Sequence, residues 1–339
     1  MTGRPGGEYH GDMLRPPRRL VVVAQAALIL AAACQRDSGA ESEGSEPGAE
    51  AFGSDRDAPA AQGPAVELLT AGDAPRRELR YELSPGASER VTIDLDMEMA
   101  VALGDVPSPP VQLPRMQMVL DLRVDEAVGD DGARYSFELS EARTLDSDGV
   151  DPTVLRAIER GLADTIGTRG TAVVDARGFN RQSRVDIPEG APPETRQMME
   201  TTAQQMEQLA APLPAEPVGE GARWEVVQHL EQNGVALVQT SVMTLESLDD
   251  GSGTISASIR QTADPQTVEM PGAMAGARAE LVELRSRGDG EFRFDLSRLM
   301  PLRATMRSES ETRFEIDVDD GESQPMTTQM ELALTVEAE

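Results

Sequence analysis

The chain has 339 residues, 60 acidic side chains against 31 basic ones, a net charge of −29 and only 3% aromatic residues. That surplus of negative charge argues against a nucleic-acid partner and makes an anionic lipid surface repel the chain as a whole. All the basic residues are arginine, and one cysteine and two histidines complete the reactive set. This composition removes lysine Schiff-base chemistry, phosphate-loop lysines, internal disulfides and cysteine-based zinc sites.

The N-terminus reads as an export signal. Met13–Arg19 is short and basic, and an apolar run from Leu20 to Ala33, broken only by Gln25, leads into Leu30-Ala31-Ala32-Ala33-Cys34. A helix of that length reaches about 21 Å, short of the roughly 30 Å hydrocarbon core, so a cleaved signal peptide over 1–33 is expected rather than a membrane span. Small residues directly before a cysteine resemble the lipobox of bacterial lipoproteins, although position −3 holds Ala31 where leucine is commonest. The resemblance implies that Cys34 is acylated and becomes the mature N-terminus, and two or more acyl chains hold a protein firmly on a bilayer. Residues 1–33 carry +2 (four arginines against Glu8 and Asp12), which leaves −31 on the remainder. Gln35 after the cysteine favours the outer membrane by the enteric sorting rule.

From residue 34 to 77 the chain is rich in Gly, Ala, Ser, Glu, Asp and Pro, with little apolar periodicity. The expectation is a disordered acidic tether spanning about 35 Å, with Val66, Leu68 and Leu69 able to dock locally.

Residues 78–339 read as one β-rich domain. Val91, Ile93, Leu95, Met97, Met99, Val101 and Leu103 alternate with polar or small residues, and Met116–Val124 and Tyr135–Leu139 follow the same period. Phe314, Ile316 and Val318 are expected to pair with Met330, Leu332, Leu334 and Val336. Period two with one polar face predicts half-buried antiparallel strands. Asp130-Asp131-Gly132, Asp175–Gly178, Gln232-Asn233-Gly234, Asp249-Asp250-Gly251, Gly288-Asp289-Gly290 and Asp319-Asp320-Gly321 are expected as turns between them. Gly219-x-Gly221 and Gly251-x-Gly253 lack the strand–turn–helix context of nucleotide sites and read as turns too.

Two helices are expected mid-chain. Asp151-Pro152 opens one near 152–166, with Val154, Leu155, Ile158, Leu162 and Ile166 as its apolar stripe. The second, near 193–210, carries Met198, Met199, Ala203, Met206 and Leu209. The fold class is therefore mainly β (α+β): a curved antiparallel sheet or half-barrel with two helices packed on it.

Constellations for chemistry are sparse. His229, on a strand face with Glu225, Val227 and Glu231, reads as a solvent-side residue, and no G-x-S-x-G elbow accompanies it. Glu315, Asp317, Asp319 and Asp320 offer carboxylates for calcium, but Gly321 is out of register with an EF-hand loop. No catalytic, cofactor or metal residue is assigned. Methionine is the informative excess. Met97, Met99, Met116 and Met118 alternate onto the apolar strand face, while Met198, Met199 and Met206 lie on the second helix. Flexible and polarizable, such side chains suit a groove for an apolar ligand such as an acyl chain, with Met97, Met99, Met118, Met199 and Met206 as its residues; the alternative is an ordinary filled core.

The stretch Pro214-Ala215-Glu216-Pro217-Val218-Gly219-Glu220-Gly221-Ala222-Arg223-Trp224 resembles the P-x-x-P-V-G-x-G-x-x-W segment of a bacterial lipoprotein family of unknown function, where it leads from a helix into a strand. Gly290–Leu296 and Leu302–Met306 are similar to that family's closing strands. The resemblance spans residues 78–337 and implies no activity. In plan, long curved strands with mid-chain helices and a lipid anchor also look like the half-barrel lipid-binding lipoproteins of bacterial envelopes, an analogy of architecture alone. The sequence thus points to a non-enzymatic envelope lipoprotein, held at a membrane through Cys34. It binds an apolar small molecule or another envelope protein, or else serves as a structural lipoprotein with a solid core. A hydrolase is a remote third reading.

Overall fold

The structure is a computed structural model and describes residues 63–104, 106–107, 110–129, 132–146, 149–186, 212–232, 234–269, 278–317 and 323–339. Cys34, Met198, Met199 and Met206, with the whole of the expected second helix and most of the expected tether, lie outside these residues.

The described chain is one antiparallel sheet. Its strands are β1 (Ala65–Thr70), β2 (Ser88–Leu103), β3 (Val106–Pro107), β4 (Val111–Gln112), β5 (Arg115–Val128), β6 (Gly132–Leu145), β7 (Arg169–Asp175) and β8 (Asn180–Val185). They continue as β9 (Arg223–Gln232), β10 (Val235–Asp249), β11 (Ser252–Ala263), β12 (Gln266–Glu269), β13 (Arg278–Asp295), β14 (Arg303–Asp317) and β15 (Ser323–Ala338). The spatial order is β1-β9-β10-β11-β13-β14-β15-β2-β5-β6-β7-β8, with β3 and β4 beside β2 and β12 beside β13. The C-terminal strand β15 fits between β14 and β2 and so joins the two halves of the chain into one surface.

Alternation does what it should. On β2, Val91, Met97 and Met99 are buried while Arg90, Asp96 and Glu98 are exposed. Asp250 and Gly251 take φ of 40° and 91° between β10 and β11, the left-handed pair that a tight hairpin demands.

Three expectations need correction. Gly288-Asp289-Gly290 is no turn: it runs through the middle of β13, paired on one side with β11 and on the other with β14. The glycines serve close strand approach, since a Cβ on Gly288 would lie 2.8 Å from the Arg307 carbonyl and 3.0 Å from the Ser308 Cβ. Pairing on both edges overrides the turn propensity of the triplet. Second, β14 and β15 do pair, but Phe314 opposes Met326 and Ile316 opposes Gln324, while Met330 and Leu332 face Ser310 and Ser308. Asp317 partners Ser323, so a five-residue connection sets the register and apolar matching yields to it. Third, the ordered domain reaches into the expected tether: β1 pairs with β9 and packs Val66 and Leu68 against the core.

One helix, α1 (Pro152–Thr165), is found among the described residues. Asp151 caps it as expected, its carboxylate accepting from the Thr153 and Val154 amides at 2.7 and 3.3 Å. Its stripe of Val154, Ile158 and Leu162 packs onto Met97, Leu113 and Met116.

Two irregular segments tie the distant ends of the sheet together. The Tyr81 amide donates to the Ala176 carbonyl in the β7–β8 turn at 2.7 Å, and Leu79 and Tyr81 pack against Trp224 on β9. The Leu213 amide donates to the Arg177 carbonyl at 2.9 Å, while the Trp224 indole donates to the Pro212 carbonyl at 3.2 Å. Such contacts require strong coiling, the expected outcome when a twisted sheet of long strands covers its own apolar face. Two large core clusters lie on that face and meet at Phe292.

Candidate functional site

Where residues 77–83 and the β13–β14 connection cross the apolar face, a cavity of about 60 Å³ remains. Its sheet side is built in register. Trp224 on β9 opposes Met243 on β10, and Ile255 on β11 opposes Phe292 on β13. Phe294, two residues further along β13, lies over Gly253, where an added Cβ would come within 2.8 Å of the ring. Tyr81, Leu213 and Met300 close the other side. Phe292, Phe294, Tyr81 and Trp224 are four of the ten aromatic residues in the chain. An aromatic-poor protein has gathered them at one place.

The crossing at 296–302 is fixed by a buried acid. Glu89, 8% exposed, accepts from the Leu299 and Met300 amides at 2.7 and 3.2 Å. The Arg298 Nε lies 3.7 Å from the same carboxylate, too far for a hydrogen bond, and is buried without one. Backbone bonds hold the ends of the crossing: the Leu296 amide donates to the Gly251 carbonyl, and the Ala338 amide to the Leu302 carbonyl. Met300 and Pro301, walls of the cavity, are thereby pinned.

Burial pushes the Tyr81 phenol up to about 12, so it stays neutral at ordinary pH. Asp295 sits at the rim, and its carboxyl is held below its ordinary value by the Ser297 hydroxyl and then the Ser297 amide, at 2.6 and 2.9 Å. That carboxylate already caps the turn. No base stands beside a nucleophile among the lining residues.

Of the methionines expected to line a groove, Met97, Met99 and Met118 are among the described residues, as is Met116. Met97 and Met116 are buried under α1. Met99 is buried between Met330 and Val111, and Met118 is half-buried between Ile93 and Ala142. None of the four lines the cavity, whose methionines are Met243 and Met300. His229 is exposed on β9 opposite Val238, with Glu231 exposed beside it. Glu315 accepts from the Ser323 hydroxyl at 3.0 Å, and Asp319 and Asp320 lie outside the described residues. Among the described residues no group of three or more His, Cys, Asp or Glu side chains is arranged to hold a metal ion, and no helix is long and apolar enough to cross a membrane.

No family model matches this chain, and no curated protein is significantly similar to it in sequence. The fold and the cavity are therefore the ground on which a function is argued.

Proposed function

We propose that the protein is a lipid-anchored lipoprotein of a bacterial envelope. Its β domain is a half-barrel, completed by a second helix near 193–210, that receives a slender apolar ligand in the aromatic cavity. The observation that carries this reading is the convergence of Trp224, Phe292, Phe294 and Tyr81 on one unfilled space between sheet and crossing segments. Buried aromatic faces give a large apolar contact area, and a few polar groups at the rim fix orientation. The cavity is smaller than the roughly 150 Å³ space that takes benzene in an engineered core. Entry therefore requires its walls to yield. Met243 and Met300 are the side chains suited to yielding, because an unbranched thioether changes rotamer readily. The small volume also favours the rival reading, a solid-core structural or interaction lipoprotein.

Native mass spectrometry of the full-length protein, extracted from bacterial membranes in mild detergent, separates the two. A carrier retains an apolar adduct beyond the covalent lipid, and Ile255→Phe, which fills the cavity, removes that adduct. Clean mass in both proteins leaves only the structural reading. Cys34→Ser tests the anchor, and is expected to move the protein from membrane to soluble fractions.

A further inference from the structure

The opposite face of the same sheet carries an open groove of about 810 Å³ that runs across β11, β13, β14, β15 and β2. Its charges are sorted by sign. Arg260 on β11 and Arg285 and Arg287 on β13 line one end, whereas Glu309 and Glu311 on β14, Glu331 on β15 and Glu98 on β2 line the other. One cross-strand row reads Arg260–Arg287–Glu309–Glu331–Glu98, each residue directly opposite the next.

That order is unfavourable for an isolated molecule. Three of its four neighbouring pairs set like charges directly opposite each other, an arrangement that destabilises a sheet. Interleaving the same residues would have relieved it. Nearby, Glu283 pairs with Arg285 at 2.5 Å and Arg313 with Glu311 at 2.7 Å. The side chains of the five residues in the sorted row make no ion pair or hydrogen bond among the described residues, and all five are exposed.

We propose that this groove is the interface of a two-fold dimer, with a second copy of the chain as its occupant. A two-fold axis lying in the plane of the interface, parallel to the strands and midway between β13 and β14, reverses the row onto itself across the two apposed faces. Arg287 then faces Glu309 of the second copy and Arg260 faces Glu331 of the second copy, with the reciprocal pairs formed at the same time. Strands about 4.8 Å apart keep the matches in step across four strands. An all-anionic or all-cationic occupant would meet its own sign over half the groove. A second copy carries both signs in the required order by construction. The net charge of −29 opposes approach at long range, but a Debye length of about 8 Å at physiological salt leaves only the contact pairs to decide the outcome.

The test is sedimentation of the full-length protein in mild detergent at physiological ionic strength, beside two double variants. These are Arg260→Glu with Arg287→Glu, and Glu309→Arg with Glu331→Arg. The wild type is expected to be a reversible dimer, and each double variant alone to associate at least about tenfold more weakly. An equimolar mixture of the two restores dimers containing one copy of each, distinguishable by mass. If the reversed chains fail to fold by circular dichroism, Arg260→Gln with Arg287→Gln is expected to weaken the dimer in the same direction. A monomeric wild type, a dimer unmoved by these changes, or folded reversals that do not dimerise when mixed each overturns the proposal.

Discussion

Glu89 offers a measurable link between the fold and the cavity. Its carboxylate satisfies two amides of the crossing at 296–302, some 210 residues away in sequence, from a position only 8% exposed. Hydrogen bonds to a charged group contribute about 1.5–3 kcal/mol each. Leu299 and Met300 are half-buried, so water can replace part of what is lost. Glu89→Ala is then expected to destabilise the domain by about 3–5 kcal/mol, and Glu89→Gln, which keeps one acceptor, by about 1–2 kcal/mol. Against a typical total of about 5–15 kcal/mol the alanine variant is severe. At about 2–4 °C per kcal/mol, Tm should fall by roughly 6–20 °C. Trp224, the only tryptophan, lies beside the crossing in the cavity wall, so its fluorescence during urea unfolding reports the loss. Exposed Glu231→Gln, opposite Ala236 on β10, serves as a control and should change stability by less than about 0.5 kcal/mol. A loss below about 1 kcal/mol for Glu89→Ala would refute the anchoring role.

Other predictions address particular elements. Asp151→Ala should lower Tm and Asp151→Asn should recover most of the loss, because asparagine caps a helix about as well as aspartate. The Asp151 carboxyl is held below its ordinary value, first by the Thr153 amide and then by that of Val154. Its contribution is therefore present above the ordinary carboxyl range and lost as pH falls through the lower folded value. Tyr81 and Tyr135 are both raised to about 12 by burial. Stability should fall as pH rises from 10 through 12, and ultraviolet titration should find Tyr81 and Tyr135 ionising late; both titrating near 10 in the folded protein would contradict this. Gly288→Val puts a strong strand former into a strand, yet should destabilise by about 1–3 kcal/mol, because its Cβ meets the Arg307 carbonyl. A neutral or stabilising outcome in thermal unfolding would count against the close approach of β13 and β14.

The sheet itself was legible because its signal is local. Alternation on β2, β5 and β6 and the Asp250-Gly251 turn need only neighbouring residues to be read, and α1 announces itself through Asp151-Pro152. What failed depends on distant partners. Gly288-Asp289-Gly290 has the composition of a turn and becomes strand only because β11 and β14 flank it. The β14–β15 register follows from the length of its connection, against the apolar match. The cavity was illegible for the same reason: Tyr81, Trp224, Phe294 and Met300 are far apart in sequence and meet only when the sheet coils. Phe292 and Phe294 alternate along β13, but nothing local says which face they share with Trp224. Methionine richness on β2 and β5 marks an apolar face, and α1 packs over Met97 and Met116 there.

Energy transfer from Trp224 to an apolar fluorescent fatty-acid probe, titrated into the full-length protein, addresses the ligand directly. Saturable one-to-one quenching that Ile255→Phe abolishes, while Met97→Leu leaves it intact, is the expected result. Absent transfer, or transfer indifferent to Ile255→Phe, would mean that the aromatic cluster is packing alone.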